Sequence, residues 1–243
     1  MEGLLDLLLG PFSYAFMQRG FLAALIVGVI CAVIGCYVVL RGMAFLGDAL
    51  AHAVLPGVAV AYLLRVDLLA GALVAAVAVA FGIGFFSERG KLREDTAIGI
   101  LFAGALALGV ALMSTIRTYS TDLTHVLFGD VLGVAERDLW LTGGLGIVAL
   151  GTVALLYKEF LITFFDPVLG RTLLLPVNRL RNLMLLLLAL TIVMSLQTVG
   201  VGLVVAMLVT PAATAQLLTR RLPTMMLIAA VVGATSAMSG LYL

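Results

Sequence analysis

Asp48 and His52 are the residues whose types and spacing most clearly indicate chemistry. They stand four positions apart in the segment 47–57, which reads GDALAHAVLPG. On a helix, this spacing places two side chains about 40° apart on one face. A carboxylate oxygen and a neutral imidazole nitrogen suit Mn, Fe or Zn, so the pair is a candidate divalent-cation site. The alternative interpretation is a hydrogen-bonded Asp–His couple close to Arg41.

One copy of this pair supplies two ligands, which is too few for a closed metal site. Two copies of the chain related by a two-fold axis would supply two aspartates and two histidines. The ligand count therefore predicts a homodimer with the ion path on its axis.

His125 is the second histidine of the sequence, and Asp122 stands three positions before it. One interpretation of this segment is a solvated loop or re-entrant turn. The other makes Asp122 and His125 a secondary metal contact at the outer entrance of a path.

The segment 158–171 carries more large apolar side chains than a plain hairpin needs. These are Phe160, Phe164, Phe165 and Leu169. Thr163 or Asp166 is suited to cap a short helix whose first turn would hold Pro167. Such a helix could lie on the membrane surface. Alternatively, it could dock into a groove on a soluble partner, with the aromatic rings as anchors.

The composition defines the elements that must position these residues. Of the 243 residues, 63% are hydrophobic and 11% charged, and the mean hydropathy is +1.24. Soluble domains carry roughly 25% charged residues. Apolar segments able to cross a bilayer of about 30 Å recur along the chain. They cover residues 18–40, 45–64, 67–87, 96–116, 138–157, 182–197, 199–218 and 223–243. We therefore predict an all-α polytopic membrane protein with about eight transmembrane helices.

The polar stretches between these segments are shorter than the roughly 50 residues that a soluble domain needs. The sequence also lacks the G-x-x-x-x-G-K-[ST] loop that holds nucleotide phosphates. We therefore expect no nucleotide hydrolysis by this chain. We also expect no nucleic-acid partner, although the net charge of +1 by itself says nothing about partners.

Lysine and arginine residues indicate the orientation. Ten follow the first, third, fifth and seventh segments: Arg41, Arg89, Lys91, Arg93, Lys158, Arg171, Arg179, Arg181, Arg220 and Arg221. The other side has four: Arg19, Arg65, Arg117 and Arg137. The positive-inside rule places the first set in the cytoplasm and both chain ends outside.

Small residues recur at every fourth position in two segments. One stripe is Gly20, Ala24, Gly28 and Ala32, and the other is Ala72, Ala76, Ala80 and Gly84. Such stripes let helix backbones approach closely within a membrane. The two interpretations are tight packing within one bundle and a seam between two copies.

Four stretches together resemble one family. They are 47–57 (GDALAHAVLPG), 122–134 (DLTHVLFGDVLGV), 165–167 (FDP) and 199–216 (VGVGLVVAMLVTPAATAQ). In order and spacing they resemble the ABC-3 metal-ion permease family, the membrane subunits of manganese, zinc and iron ABC importers.

The resemblance implies the fold of the type II ABC importers and a multi-pass location in the bacterial cell (inner) membrane. It also implies a homodimer, in which each copy engages a cytoplasmic ATP-binding subunit and an extracellular lipoprotein delivers the metal. ATP hydrolysis would then belong to another subunit, so this chain would not be an enzyme. The ion would be cargo rather than a permanent cofactor. Asp48 and His52 match the metal-coordinating pair of the family, and Phe165, Asp166 and Pro167 match the segment that couples to the ATPase.

Residues 1–243 are expected to form one transmembrane permease domain. Relatives of the family continue beyond the position of Leu243 through a polar turn and a last apolar helix, which this sequence does not contain. The residues at 123–125 (LTH) and 127–129 (LFG) resemble the manganese branch of the family more than the zinc branch, which favours Mn²⁺ as the transported ion. The raw affinity of N/O sites, by contrast, favours Zn²⁺.

Two functions of other classes are alternatives. A secondary metal transporter would predict more intramembrane carboxylates than Asp48 alone. It would also lack the aromatic cytoplasmic segment. A membrane metalloenzyme would need an open site with about three protein ligands.

Overall fold

The computed structural model describes residues 14–89, 93–115, 129 and 133–242, and the regular structure in these ranges is helical throughout. The helices are α1 Ala15–Leu40, α2 Ala44–Ala53, α3 Leu55–Leu64, α4 Leu68–Arg89, α5 Glu94–Ser114, α6 Glu136–Leu155, α7 Tyr157–Phe165, α8 Pro167–Thr172, α9 Val177–Val199, α10 Val201–Leu218 and α11 Leu222–Tyr242.

Within these described ranges, eight helical spans are long and apolar enough to cross a membrane. α2 and α3 together make one of them, Ala44–Leu64, while α7 and α8 are short helices between spans. The predicted number of crossings is therefore confirmed. The predicted start of the sixth crossing at residue 182 was wrong, because α9 already begins at Val177. Its first turns carry Arg179 and Arg181, and the latter donates to the carbonyl oxygen of Gly84 at 3.1 Å.

Two breaks in the spans have clear local causes. Pro56 has no N–H to donate to the carbonyl of His52 four residues earlier, so the second span is interrupted at Val54. Gly200 separates α9 from α10 with a φ of 81°, a conformation that glycine adopts without a steric penalty. The structure therefore shows two helices that meet at one residue.

Three spans form the centre of the bundle: α1, the α2–α3 pair and α9. Two thirds or more of the residues in their apolar windows are buried within the chain. Close approaches between backbones attach outer spans to this centre, as where Gly28 of α1 meets Gly233 of α11. Both small-residue stripes are buried inside the chain. The interpretation of tight packing within one bundle is therefore confirmed.

Charged side chains meet at the two ends of the bundle. Arg41, Glu94 and Arg181 meet at one end of the bundle. Arg19 and Glu136 lie 3.8 Å apart at the other end of α1. The first group lies at the starts or ends of three spans whose connections the positive-inside rule assigns to the cytoplasm.

Candidate metal centre and coupling segment

The Asp48–His52 pair lies on one face of α2, as the spacing predicts. The Nε2 atom of His52 is 3.4 Å from Oδ1 of Asp48. Two ligands at about 2.1 Å from one ion stand roughly 3.0–3.4 Å apart, depending on the coordination angle. The separation therefore suits two ligands of a shared cation without a change of rotamer.

The pair faces away from the centre of its own bundle. The side chains of His52 and Asp48 are 34% and 38% exposed. By contrast, Ala49, Leu50 and Ala51 on the same helix are fully buried. Among the described residues, no group of three or more His, Cys, Asp or Glu side chains could hold a metal ion. This side of the chain therefore offers two ligands on an open face.

One aromatic ring contacts the pair, and a second ring packs on the first. The ring of Phe102 on α5 lies 5.8 Å from the imidazole of His52 in an edge arrangement, and the ring of Phe45 lies 5.3 Å from that of Phe102. The Nδ1 atom of His52 is buried and has no hydrogen-bond partner in the described structure. The imidazole therefore presents Nε2 towards Asp48, with Phe102 against its ring. The sequence held no signal for Phe102, because it stands on another helix.

Arg41 does not neutralise the pair. Its Nη2 atom lies 2.9 Å from a carboxylate oxygen of Glu94, and Nη1 of Arg181 lies 3.6 Å from the other oxygen. Burial lowers the pKa of the Arg41 guanidinium, and the Glu94 carboxylate opposes this shift. In the described part of the chain, Asp48 has no guanidinium or ammonium partner. Arg41 therefore pairs with Glu94, and the 3.4 Å contact between His52 and Asp48 is compatible with both interpretations of the pair.

Asp122 and His125 lie outside the described residues. Their suggested contact at an outer entrance stays a prediction. The described residue nearest to them in the chain, Gly129, packs against the backbone of Val199 and Gly200 where α9 meets α10.

The segment 165–167 is the junction between α7 and α8. Oδ1 of Asp166 accepts hydrogen bonds from the backbone N–H groups of Val168 at 3.0 Å and Leu169 at 2.9 Å, so Asp166 caps α8. Pro167 occupies the first turn, where its missing N–H is not needed. Thr163, the other capping candidate, is buried within α7.

The large apolar side chains of this segment divide into two sets. Phe160 and Phe164 pack against Tyr37 at the end of α1, with ring centroids 5.8 and 5.6 Å away. Phe165 and Leu169 are 60% and 46% exposed. The inner set anchors the segment to the bundle, and the outer set forms an apolar surface.

The anchoring side of this segment leads towards the candidate metal pair. The guanidinium of Arg41 lies 5.0 Å from the centre of the Phe164 ring, a cation–π contact. Arg41 belongs to the short link between α1 and α2, and α2 carries Asp48 and His52. A displacement of α7 would therefore reach the start of the helix that holds the pair.

Comparison with known proteins assigns this architecture to one family. The model of the ABC 3 transport family matches residues 13–243, and the chain belongs to this family. It is accordingly a transport permease and a multi-pass protein of the bacterial cell membrane.

Two curated relatives illustrate the range of the family. The manganese transport system membrane protein MntC of Halalkalibacterium halodurans is 49% identical, over 95% of this chain and 79% of its own length. The chelated iron transport system membrane protein YfeD of Yersinia pestis is 41% identical, over 99% of this chain and 80% of its own length.

Solved structures agree with the fold. A chain of PsaBC from Streptococcus pneumoniae in complex with Fab superposes with a TM-score of 0.83 at 37% identity, covering 98% of this chain and 91% of that one. An inward-facing putative metal-chelate type ABC transporter gives a TM-score of 0.75 at 16% identity, over 92% and 75% of the two chains. The second likeness concerns the fold alone.

Proposed function

We propose that this chain is the permease subunit of an ATP-driven importer whose cargo is Mn²⁺, and that Asp48 and His52 bind the ion on its way across the membrane. The observation that carries the proposal is the 3.4 Å separation of the two ligand atoms on a half-exposed face. Relatives that are 47–49% identical are named as manganese transport proteins, which supports Mn²⁺ as the cargo.

The site is completed by a second copy of the chain. Two-fold symmetry brings two aspartates and two histidines to one axis. Four ligands replace much of the hydration shell that the ion leaves behind, whereas two ligands on an open face do not. Residues 1–243 act in this arrangement as one transmembrane permease domain.

ATP-binding subunits dock on the exposed side of the segment formed by Phe165, Asp166 and Pro167. Asp166 holds the start of α8 rigidly, and the exposed Phe165 and Leu169 side chains provide the apolar anchors. An extracellular metal-binding lipoprotein delivers the ion on the opposite side, where Asp122 and His125 are candidates for a first contact.

The test is metal uptake by cells that express the complete transport system. Asp48→Asn and His52→Gln keep the size of each side chain but remove a charged or imidazole ligand, and each is expected to lower Mn²⁺ uptake at least tenfold. Asp67→Asn is the matched control, because Asp67 only caps the start of α4 at the other end of the span, through a 2.9 Å bond from the N–H of Ala70. Normal uptake by both ligand variants would overturn the assignment of the pair.

Iron is the second candidate cargo, because one relative is named as a chelated iron transport protein. Uptake of labelled Mn²⁺ in competition with Fe²⁺ and Zn²⁺ distinguishes the cargo. Metal transport into liposomes by this chain without an ATP-binding subunit would instead indicate a secondary transporter. Co-purification of an ATP-binding subunit with the wild-type chain, lost in Phe165→Ala, is the result expected of the importer.

A further inference from the structure

A basic pocket lies beside the junction of α8 and α9, away from the candidate metal pair. Its volume is about 420 Å³, within the range of about 300–1,000 Å³ that small-molecule sites occupy. Its wall includes Arg171 from α8, Arg179 from the first turn of α9, and the carboxamides of Asn178 and Asn182. Leu175 and Pro176 of the connecting turn complete this side.

The pocket is strongly electropositive. In the described part of the chain, neither Arg171 nor Arg179 has a carboxylate partner within 4 Å, and both residues are exposed. From residue 167 to residue 243 the sequence contains five arginines and no aspartate or glutamate. An anion therefore meets two guanidinium groups here with no competing acidic side chain from the same segment.

The position of the pocket favours a ligand with an apolar part. Leu173 and Leu174, which directly precede the connecting turn, are 54% and 91% exposed. α9 then enters its membrane span, which the positive-inside rule starts on the cytoplasmic side. Exposed leucines beside paired arginines at this depth match the boundary between acyl chains and headgroups.

We propose that this pocket binds the phosphate headgroup of an anionic phospholipid of the cytoplasmic leaflet. Guanidinium groups match phosphate oxygens with paired hydrogen bonds, and basic pockets on the cytoplasmic side of helix bundles are suited to anionic headgroups. The proposal does not depend on which ion the permease carries.

Lipid retention by the intact transport complex tests the proposal. The complex is purified in mild detergent, and native mass spectrometry measures binding of short-chain phosphatidylglycerol and phosphatidylcholine. The wild type is expected to bind phosphatidylglycerol, with on the order of tenfold weaker binding in Arg171→Gln/Arg179→Gln. The matched control is Arg220→Gln/Arg221→Gln, which removes two exposed arginines from the α10–α11 turn at the same end.

A second variant and a second ligand make the test specific. Arg171→Lys/Arg179→Lys keeps both charges but removes the guanidinium forks, and it is expected to retain an intermediate affinity. This variant also keeps the proposal testable if the glutamine variant does not fold. Inorganic phosphate and glycerol phosphate are added to separate samples, and neither is expected to displace the lipid at equal concentration.

Several results would overturn the proposal. Equal binding of phosphatidylcholine, or equal loss in the Arg220/Arg221 control, would mean that the pocket does not recognise a lipid phosphate. Displacement by free phosphate at equal concentration would indicate a soluble anion as the ligand. Unchanged lipid binding together with loss of the ATP-binding subunit would indicate that the arginines receive an acidic segment of that protein. None of these results alters the outcome of metal uptake by the Asp48 and His52 variants, so the two proposals fail separately.

Discussion

At the scale of single residues, the imidazole of His52 is positioned by its neighbours on two helices. Phe102 contributes the edge contact of its ring at 5.8 Å. Such aromatic contacts are worth about 0.5–1.5 kcal/mol, equivalent to a factor of about 2–10 in an equilibrium constant. Phe102→Ala is therefore expected to raise the KM for Mn²⁺ uptake by about 2–10-fold, with little change in the maximal rate per complex.

A control separates this effect from general damage to the fold. Phe81→Ala removes an aromatic ring that is 52% exposed on α4, far along the chain from the pair. Its KM for Mn²⁺ should equal that of the wild type. An unchanged KM in Phe102→Ala, or a fall in maximal rate and expression with no change in KM, would show that Phe102 does not position His52.

The residues of the candidate site differ in how far the sequence could predict them. Asp48 and His52 share a face because helical geometry fixes the relation of positions i and i+4. Phe102 comes from a different helix 50 positions further along, and its approach depends on how α2 and α5 pack. Glu94 has the same dependence, so the sequence placed Arg41 near Asp48 although the structure pairs it with Glu94.

At the scale of helices, the Arg41–Glu94–Arg181 cluster joins the end of α1 to the starts of α5 and α9. The three side chains are only 13–21% exposed. Removing one partner of a buried ion pair leaves an uncompensated charge and costs about 3–5 kcal/mol. Because water still reaches these groups, Glu94→Gln is expected to destabilise the protein by about 3 kcal/mol, the lower end of that range. Thermal unfolding in detergent measures the change.

The exposed pair at the opposite end serves as the comparison for this cluster. Arg19 and Glu136 lie 3.8 Å apart with side chains 44% and 69% exposed. Exposed pairs contribute about 0–1 kcal/mol. Glu136→Gln should therefore leave the unfolding temperature nearly unchanged. Equal effects of the two substitutions would mean that the Glu94 cluster does not hold the three helices together.

A second prediction at this scale concerns the close packing of α1 against α10. A Cβ atom on Gly35 of α1 would overlap the carbonyl oxygen of Leu208 on α10, whereas a Cβ on Gly151 of α6 would meet nothing within 4 Å. Gly35→Ala is expected to destabilise the protein by about 1–3 kcal/mol through overpacking. Gly151→Ala should be neutral or stabilising by up to about 1 kcal/mol, because alanine favours a helix more than glycine does. Unfolding in detergent compares the two, and equal stabilities would contradict the close contact.

The helices themselves were predicted well where hydrophobicity defines them, since a lipid bilayer demands long apolar spans. The sixth span was placed five residues too late because Arg179 and Arg181 looked like loop residues. Their side chains instead lie at the membrane boundary, where Arg181 reaches the backbone of α4. The division of α7 into a buried and an exposed side was not predictable, because it depends on where Tyr37 lies.

At the scale of the whole molecule, the two candidate functional regions are connected through one end of the bundle. The coupling segment packs on Tyr37 and Arg41, and the link that contains Arg41 leads directly into α2. Under the proposed function, movement of α7 on docking of an ATP-binding subunit would act on the helix that carries Asp48 and His52. The face of that helix that carries Asp48 and His52 points away from its own chain, so the proposed site needs a second copy of the chain to supply more ligands.

The last prediction concerns the proposed second copy of the chain. If one ion is held by two aspartates and two histidines from two copies, then a dimer with one His52→Ala copy lacks one of its four ligands, and we expect it not to transport. When wild-type and His52→Ala chains are produced in equal amounts and pair at random, about a quarter of the dimers contain two wild-type copies. Mn²⁺ uptake per total permease should then fall to about a quarter of the wild-type value. Independent paths through each copy would leave about half, because every wild-type chain would still transport.

Different affinity tags on the two chains allow the mixed dimers to be isolated. Half-maximal uptake by purified mixed dimers in liposomes with their ATP-binding subunits would refute the shared site.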